Sequence, residues 1–290
     1  MAATAAAFPL SAEAAHGRAQ AWQQATGARL ADGRLHLHHG PIDLIVSIEG
    51  EARACREAEQ RAARRFGSVL IELTEELNIL RQPLTRNTRV NGVIAERMVK
   101  ATRPFLPDFI TPMAAVAGSV ADEICSEIQR VDGVTKAIVN NGGDVAVFLA
   151  PGESVTGLIA GPGAESIALS SCQPYRGVAT SGWPGRSHSF GIADLVTVVA
   201  TCAARADAAA TLIANKVDLP GHPAIERVPA SDLSPDTDLS DRLVTVEVGL
   251  LTPEEHRQAL SSGLSFARRL HHAGVIGSAI LVLGDETVLI

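Results

Sequence analysis

Asn140-Asn141-Gly142-Gly143-Asp144, set between the apolar runs at 136–139 and 145–149, decides how the rest of the chain is read. Two adjacent glycines let the backbone turn sharply and approach a ligand closely, and the flanking Asn and Asp supply donors and acceptors. The stretch predicts strand, two-glycine turn, strand. Asn-Gly between alternating runs is also the commonest hairpin signature, so a plain hairpin and a ligand-facing turn both stand at this point.

Working outward, the 290 residues suffice for one large domain or two small ones. Hydrophobic residues make up 46% but aromatics only 3%, so the core is built from Ala, Val, Leu and Ile. A formal charge of -7 and a pI near 5.7 argue against nucleic acid and anionic membranes as partners, which need clustered positive charge. Small molecules or proteins are the expected partners. Cys55, Cys125, Cys172 and Cys202 form no C-x-x-C pair, and reduced thiols are expected. The N-terminus lacks the basic and apolar regions of a secretory signal, and the longest apolar run, 195–204, is too short to span a bilayer. A soluble cytoplasmic protein is the expectation.

Residues 1–31 read as a mobile N-terminal arm and 32–290 as a single domain. Alternation at 35–38 and a β-branched run at 42–48 predict a hairpin turning at His39-Gly40-Pro41. Helical spacing follows over 51–80, with a break at Gly67, and again over 91–102. At 111–122 a helix start made almost wholly of small residues is capped by Thr111, with Pro112 in its first position. Such a start brings backbone N–H groups and a positive dipole end close to its neighbour, whether an anionic ligand or a packed sheet. Short strands are expected at 155–159 and 166–170, a loop at 176–183, a strand at 195–200, a helix at 205–216, a loop at 219–240 and a strand at 243–251. Thr252-Pro253-Glu254-Glu255 is a capping box opening a helix to about His272, and 278–283 with 286–290 forms a closing hairpin. The expected fold is α/β (α+β), mostly antiparallel strands packed against helices, self-associating through Ala-rich faces into a homo-oligomer.

Two further clusters carry chemistry. Asp207 and Thr211 are four apart in a predicted helix, separated by alanines, so a carboxylate and a hydroxyl share one face. Such a pair suits Mg2+ when water and phosphate complete its shell, although an Asp near a helix start also serves the dipole alone. Ala179-Thr180-Ser181-Gly182, followed by Ser187-His188-Ser189, places hydroxyls, a glycine and an imidazole ahead of a strand; the alternative is a polar surface turn. His36 and His38 share a solvated face, and His271-His272 suits a helix end, so neither pair is read as a metal site.

In this order, Asn-Gly-Gly-Asp at 141–144, Ala-Thr-Ser-Gly at 179–182, Val-Thr-Val at 196–198 and Ala-Asp-Ala-x-Ala-Thr at 206–211 resemble the ApbE-like superfamily, whose best-known members are FAD:protein FMN transferases. The resemblance is strong over 110–216 and general elsewhere. Pro-Met-Ala-Ala-Val-Ala-Gly at 112–118 and Ser-x-Ser-Phe-Gly-x-Ala-Asp at 187–194 bring the chain closer to a branch distinct from the transferases themselves. The resemblance implies an ApbE-like, T-fold-related domain with a flavin nucleotide site for FAD or FMN. It places Asn141, Gly142, Gly143 and Asp144 in the pocket, with Met113, Ala117, Gly118, Thr180, Ser181, Gly182 and Ser187 around it and Mg2+ on Asp207 and Thr211.

Two departures matter. The transferases carry a lysine where Ala117 stands, and a His-x-x-Asp-Pro-x-Thr-Gly segment that residues 187–194 replace without its Pro and Thr-Gly. His188 and Asp194 become the catalytic candidates. Three functions follow from the resemblance: a Mg-dependent enzyme acting on a flavin pyrophosphate or transferring FMN, a flavin-binding protein without turnover, and an enzyme handling a pterin-like one-carbon cofactor.

Overall fold

A computed structural model describes residues 8–9, 24–157 and 166–290. Strands β1 (Phe8–Pro9), β2 (Thr26–Arg29), β3 (Leu35–His39) and β4 (Ile42–Gly50) lead into helices α1 (Ala52–Glu75), α2 (Leu77–Leu80) and α3 (Val93–Thr102). A 3-10 turn, Pro112–Ala115, opens α4 (Val116–Ile128), which is followed by β5 (Val134–Asn141), β6 (Asp144–Leu149), β7 (Ser154–Thr156), β8 (Ala168–Ser170), β9 (Gly177–Ser181) and β10 (Leu195–Ala200). The chain continues through α5 (Ala203–Lys216), β11 (Ile225–Pro229), α6 (Ala230–Leu233), β12 (Leu243–Val248), α7 (Pro253–His272), β13 (Ser278–Leu283) and β14 (Glu286–Leu289).

Among the described residues, ten strands form one sheet in the order β1-β2-β3-β4-β5-β6-β9-β10-β13-β14, every neighbouring pair antiparallel. This is the mixed helix and antiparallel-sheet fold expected. Alternation gives the sheet two distinct faces. Leu37, Leu44, Val46, Ala137, Val139 and Ala146 join the main core beneath the helices. Val145, Val147, Val178 and Val199 point the other way, into a smaller cluster with Val155 and Leu169 of the β7–β8 ribbon.

Alanine and glycine let the helices sit close. A methyl group at Gly118 of α4 would lie 2.4 Å from the Ala203 carbonyl oxygen of α5, and one at Gly177 would lie 2.0 Å from the Cys202 carbonyl carbon. The helix starts hold each other. Asp122 of α4 accepts the Ala203 and Ala204 N–H groups, each at 2.9 Å, and Asp207 of α5 accepts the Gly118 N–H at 3.0 Å. The alanine-rich faces expected to drive self-association are buried here, Ala58 and Ala62 of α1 and Ala208, Ala209 and Ala210 of α5 among them.

Several expectations are corrected. Residues 26–29 form a strand paired with β3 rather than part of an arm; residues 1–7 and 10–23 of that arm lie outside the described residues. α1 runs unbroken through Gly67, because an interior glycine costs only about 1 kcal/mol and the helix buries Ala58, Phe66, Val69 and Leu73. The break falls at Glu76, whose carboxylate accepts the Asn91 and Gly92 N–H groups at 2.8 and 2.6 Å and so fixes the start of α3. Thr111 does not cap through its side chain; its hydroxyl bonds Asp238. The stretch read as a loop at 176–183 contains β9, a strand inside the sheet, and 219–240 contains β11 and α6. The strand expected at 155–159 runs Ser154–Thr156, with residues 158–159 outside the described set. The capping box and both hairpins form as read.

Candidate functional site

Residues Asn140–Asp144 form a two-residue hairpin. Asn141 pairs with Asp144 across Gly142 and Gly143, whose φ angles of +64° and +117° suit glycine. Both asparagines brace it: Asn140 Oδ1 accepts the Gly143 N–H at 2.9 Å, and Asn141 Nδ2 donates to the Ala117 carbonyl at 3.1 Å. Asn141 is thus a strut between hairpin and α4, one of its two amide N–H groups used on the Ala117 carbonyl. The turn is both a hairpin and the rim of a cavity.

Two chambers meet there. The first, about 660 Å3, runs along the outer sheet face past Ser47 and Asn140 and round the tip. The second, about 280 Å3, lies on the helix side, lined by Phe109, Met113, His188, Phe190, Leu212 and Asn215. Ala117, Asp144, Arg186, Ser187, Asp207 and Thr211 line both and form their junction. The predicted set therefore divides. Asn141, Gly142, Gly143, Thr180, Ser181, Gly182 and Asp194 line the first chamber, and Met113 and His188 the second. Gly118 lines neither and acts from behind through its N–H to Asp207.

The junction is electrostatically unbalanced. Burial pushes the Asp144 carboxyl up to about 7, against the opposing pull of the Thr180 amide and the Arg186 guanidinium. Asp207 is raised well above the usual carboxylate range, first by burial and then by the Asp144 charge beside it. Asp144 Oδ1 is buried with no hydrogen-bond partner. Two carboxylates in a poorly solvated site favour a proton or a cation between them. Thr211 follows Asp207 by one helical turn and adds a hydroxyl. No cluster of three or more His, Cys, Asp or Glu suited to a metal ion occurs among the described residues. Asp144, Asp207 and Thr211 offer oxygen donors only, a set whose chemistry fits Mg2+ sharing its shell with water and phosphate.

The two catalytic candidates are not brought together. His188 faces the second chamber, whereas Asp194 stands at the edge of the first, its Oδ2 accepting the Gly284 N–H at 2.7 Å and its Oδ1 the Trp183 Nε1–H at 3.3 Å. Asp194 clips the closing hairpin to the loop after β9. Thr180 bonds Thr197 across the sheet at 2.9 Å. Sequence reasoning missed Arg186, whose only signal is a lone cation in Trp-Pro-Gly-Arg-Ser. It also missed Phe109 and Phe190, whose rings stand 6.1 Å apart, with Arg242 stacked 3.5 Å over Phe109. No helix among the described residues is long and apolar enough to cross a membrane.

Residues 27–289 match a family model described as AbpE bacteria. The UPF0280 protein of Methanothermobacter thermautotrophicus is 42% identical over 194 residues, covering 62% of this chain and 72% of that protein. That of Methanothrix thermoacetophila is 37% identical over 128 residues, covering 43% and 52%. The chain spans about half the length of this relative and of that from Methanococcoides burtonii, at 52% and 50%. Among solved structures, a mutant of the flavin transferase ApbE from Vibrio cholerae is similar with a TM-score of 0.46 at 11% identity, over 86% of this chain and 93% of that one. The apo flavinyl transferase ApbE of Pseudomonas stutzeri gives 0.41 at 13%, over 99% and 94%.

Proposed function

The chain belongs to the AbpE bacteria family, matched over residues 27–289, and from that premise we propose that it binds a flavin nucleotide across the two chambers and acts, with Mg2+, on the pyrophosphate of FAD. One observation carries the reading: two chambers of about 660 and 280 Å3 meet at a carboxylate pair and a threonine hydroxyl. A ligand with a ring system at each end and phosphates between them matches that division. The chamber volumes are those of ordinary small-molecule sites.

Asp207, Thr211 and Asp144 are the residues that would hold the metal. Bound there, Mg2+ would neutralise phosphate charge and favour cleavage at the pyrophosphate. Asp207 is already oriented, since the Gly118 N–H fixes one of its oxygens. The Asn140 and Asn141 side chains fix the rim. Phe109 and Phe190, their rings inclined at 47°, give the second chamber an aromatic lining. His188, on that chamber, is the group placed to take a proton from an attacking hydroxyl or water.

A second reading, flavin binding without turnover, is favoured by Asp194, whose carboxylate oxygens both serve Gly284 and Trp183. Incubation with FAD and MgCl2, followed by chromatography for FMN and AMP and by a thermal shift, separates the two. Product together with a Mg-dependent shift is expected. A shift without product supports the second reading, and no shift with any flavin rejects both.

A further inference from the structure

Arg186 stands at the meeting point of the chambers and takes no part in holding the fold. It lies in the loop between β9 and β10, is exposed, and among the described residues forms no hydrogen bond or ion pair. Its guanidinium lies at the rim of the site, beside the hairpin tip. It crosses the hairpin tip at Gly142, where a methyl group would lie 2.3 Å from Nη2 and 3.5 Å from Cζ. From there the charge of Arg186 reaches Asp144, yet no bond forms between them, and Asp144 Oδ1 stays buried and unpartnered.

The junction thus carries two unmet demands. The carboxylates of Asp144 and Asp207 call for a cation. The planar fork of a free guanidinium calls for an oxyanion, best a carboxylate or phosphate met by two parallel N–H bonds. A divalent cation carrying a phosphate group answers both, the metal toward the acidic face and the phosphate oxygens toward the arginine.

We propose that Arg186 is the anion clamp of this site, gripping phosphate oxygens of the ligand at the hairpin tip beside Asp144, Asp207 and Thr211. This rests on the phosphate-bearing part of the function proposed above and does not require the ligand to be a flavin.

Calorimetric titration of the full chain in MgCl2, using inorganic pyrophosphate, FMN and uncharged riboflavin as probes, tests it. Arg186→Met is expected to weaken pyrophosphate and FMN at least about tenfold while leaving riboflavin within about twofold. Arg186→Lys, which keeps the charge and loses the fork, should fall between. Unchanged pyrophosphate and FMN affinity in Arg186→Met, or an equal loss for riboflavin, overturns the clamp even where flavin binds the native chain. Arg186-dependent binding of pyrophosphate without any flavin binding upholds the clamp and removes the flavin reading. A native chain that binds neither pyrophosphate nor FMN overturns both.

Discussion

Asp122 and Asp207 do the same job at two crossing helices and do it differently. Each carboxylate meets the N-terminus of the other's helix, and burial raises both carboxyls. Asp122 uses both oxygens, one on Ala203 and one on Ala204. Asp207 gives one oxygen to Gly118, faces both chambers, and has as its neighbour Asp144, whose Oδ1 has no partner. A buried carboxylate with both oxygens on helix N–H groups is structure, whereas one that lines a cavity beside a second carboxylate with an unpartnered oxygen is a site that awaits charge.

The two aspartates should differ most in ligand binding. Asp207→Ala should weaken Mg-dependent FAD binding on the order of 100-fold, about 2.7 kcal/mol, measured by titration at fixed Mg2+. Asp122→Ala should instead reduce stability by about 3 kcal/mol in urea unfolding, because two buried N–H donors lose their acceptor, while folded protein keeps its affinity for FAD. If the two variants exchange these effects, the division between cap and site is wrong.

How much of this was legible in the sequence follows the range of the interactions. The Gly142-Gly143 turn and the Asp207/Thr211 face depend on residues at most four apart, and local chemistry declares them. The capping box at Thr252 is equally local and forms as read. β9 was hidden because its Gly, Thr and Ser composition resembles a loop, and its strand state comes from pairing with Val145 and Ala146 on one side and residues 196–200 on the other. Arg186 could not be found locally, since its place is set by a hairpin tip more than forty residues earlier. The second chamber likewise takes Phe109, Phe190 and Asp238 from three distant segments.

A smaller effect sharpens the electrostatic half of the comparison. Asp144 has a folded-state carboxyl near 7 against an ordinary 3.8, so the folded chain keeps a proton that the unfolded chain has lost. Metal-free stability should therefore fall as pH rises from about 4 through about 7, by a melting-temperature change on the order of a few degrees. Asp144→Asn should reduce the slope, the raised Asp207 and Asp122 carboxyls supplying what is left, and Mg2+ should raise the melting temperature more at pH 8 than at pH 5.5, since it competes with that proton. A slope unaffected by the variant would remove Asp144 from the acidic pair. The smallest effect belongs to the cap at Thr252, which lines neither chamber. Thr252→Ala, which breaks the box with Glu255, should cost about 1 kcal/mol in unfolding and leave FAD titrations unchanged.

The first chamber begins on the face of the sheet turned away from the helices, and the second lies on the face they cover. Whatever fills both must pass round the end of a β-ribbon and straddle it. The length of that detour is set by the thickness of one backbone layer and by two residues, the commonest tight closure of an antiparallel pair. A single inserted residue would leave every side chain of the site in the sequence, yet move the rim relative to α5. At positions 142 and 143 the protein is therefore constrained in chain length as well as in residue type, and spacing there is part of the recognition.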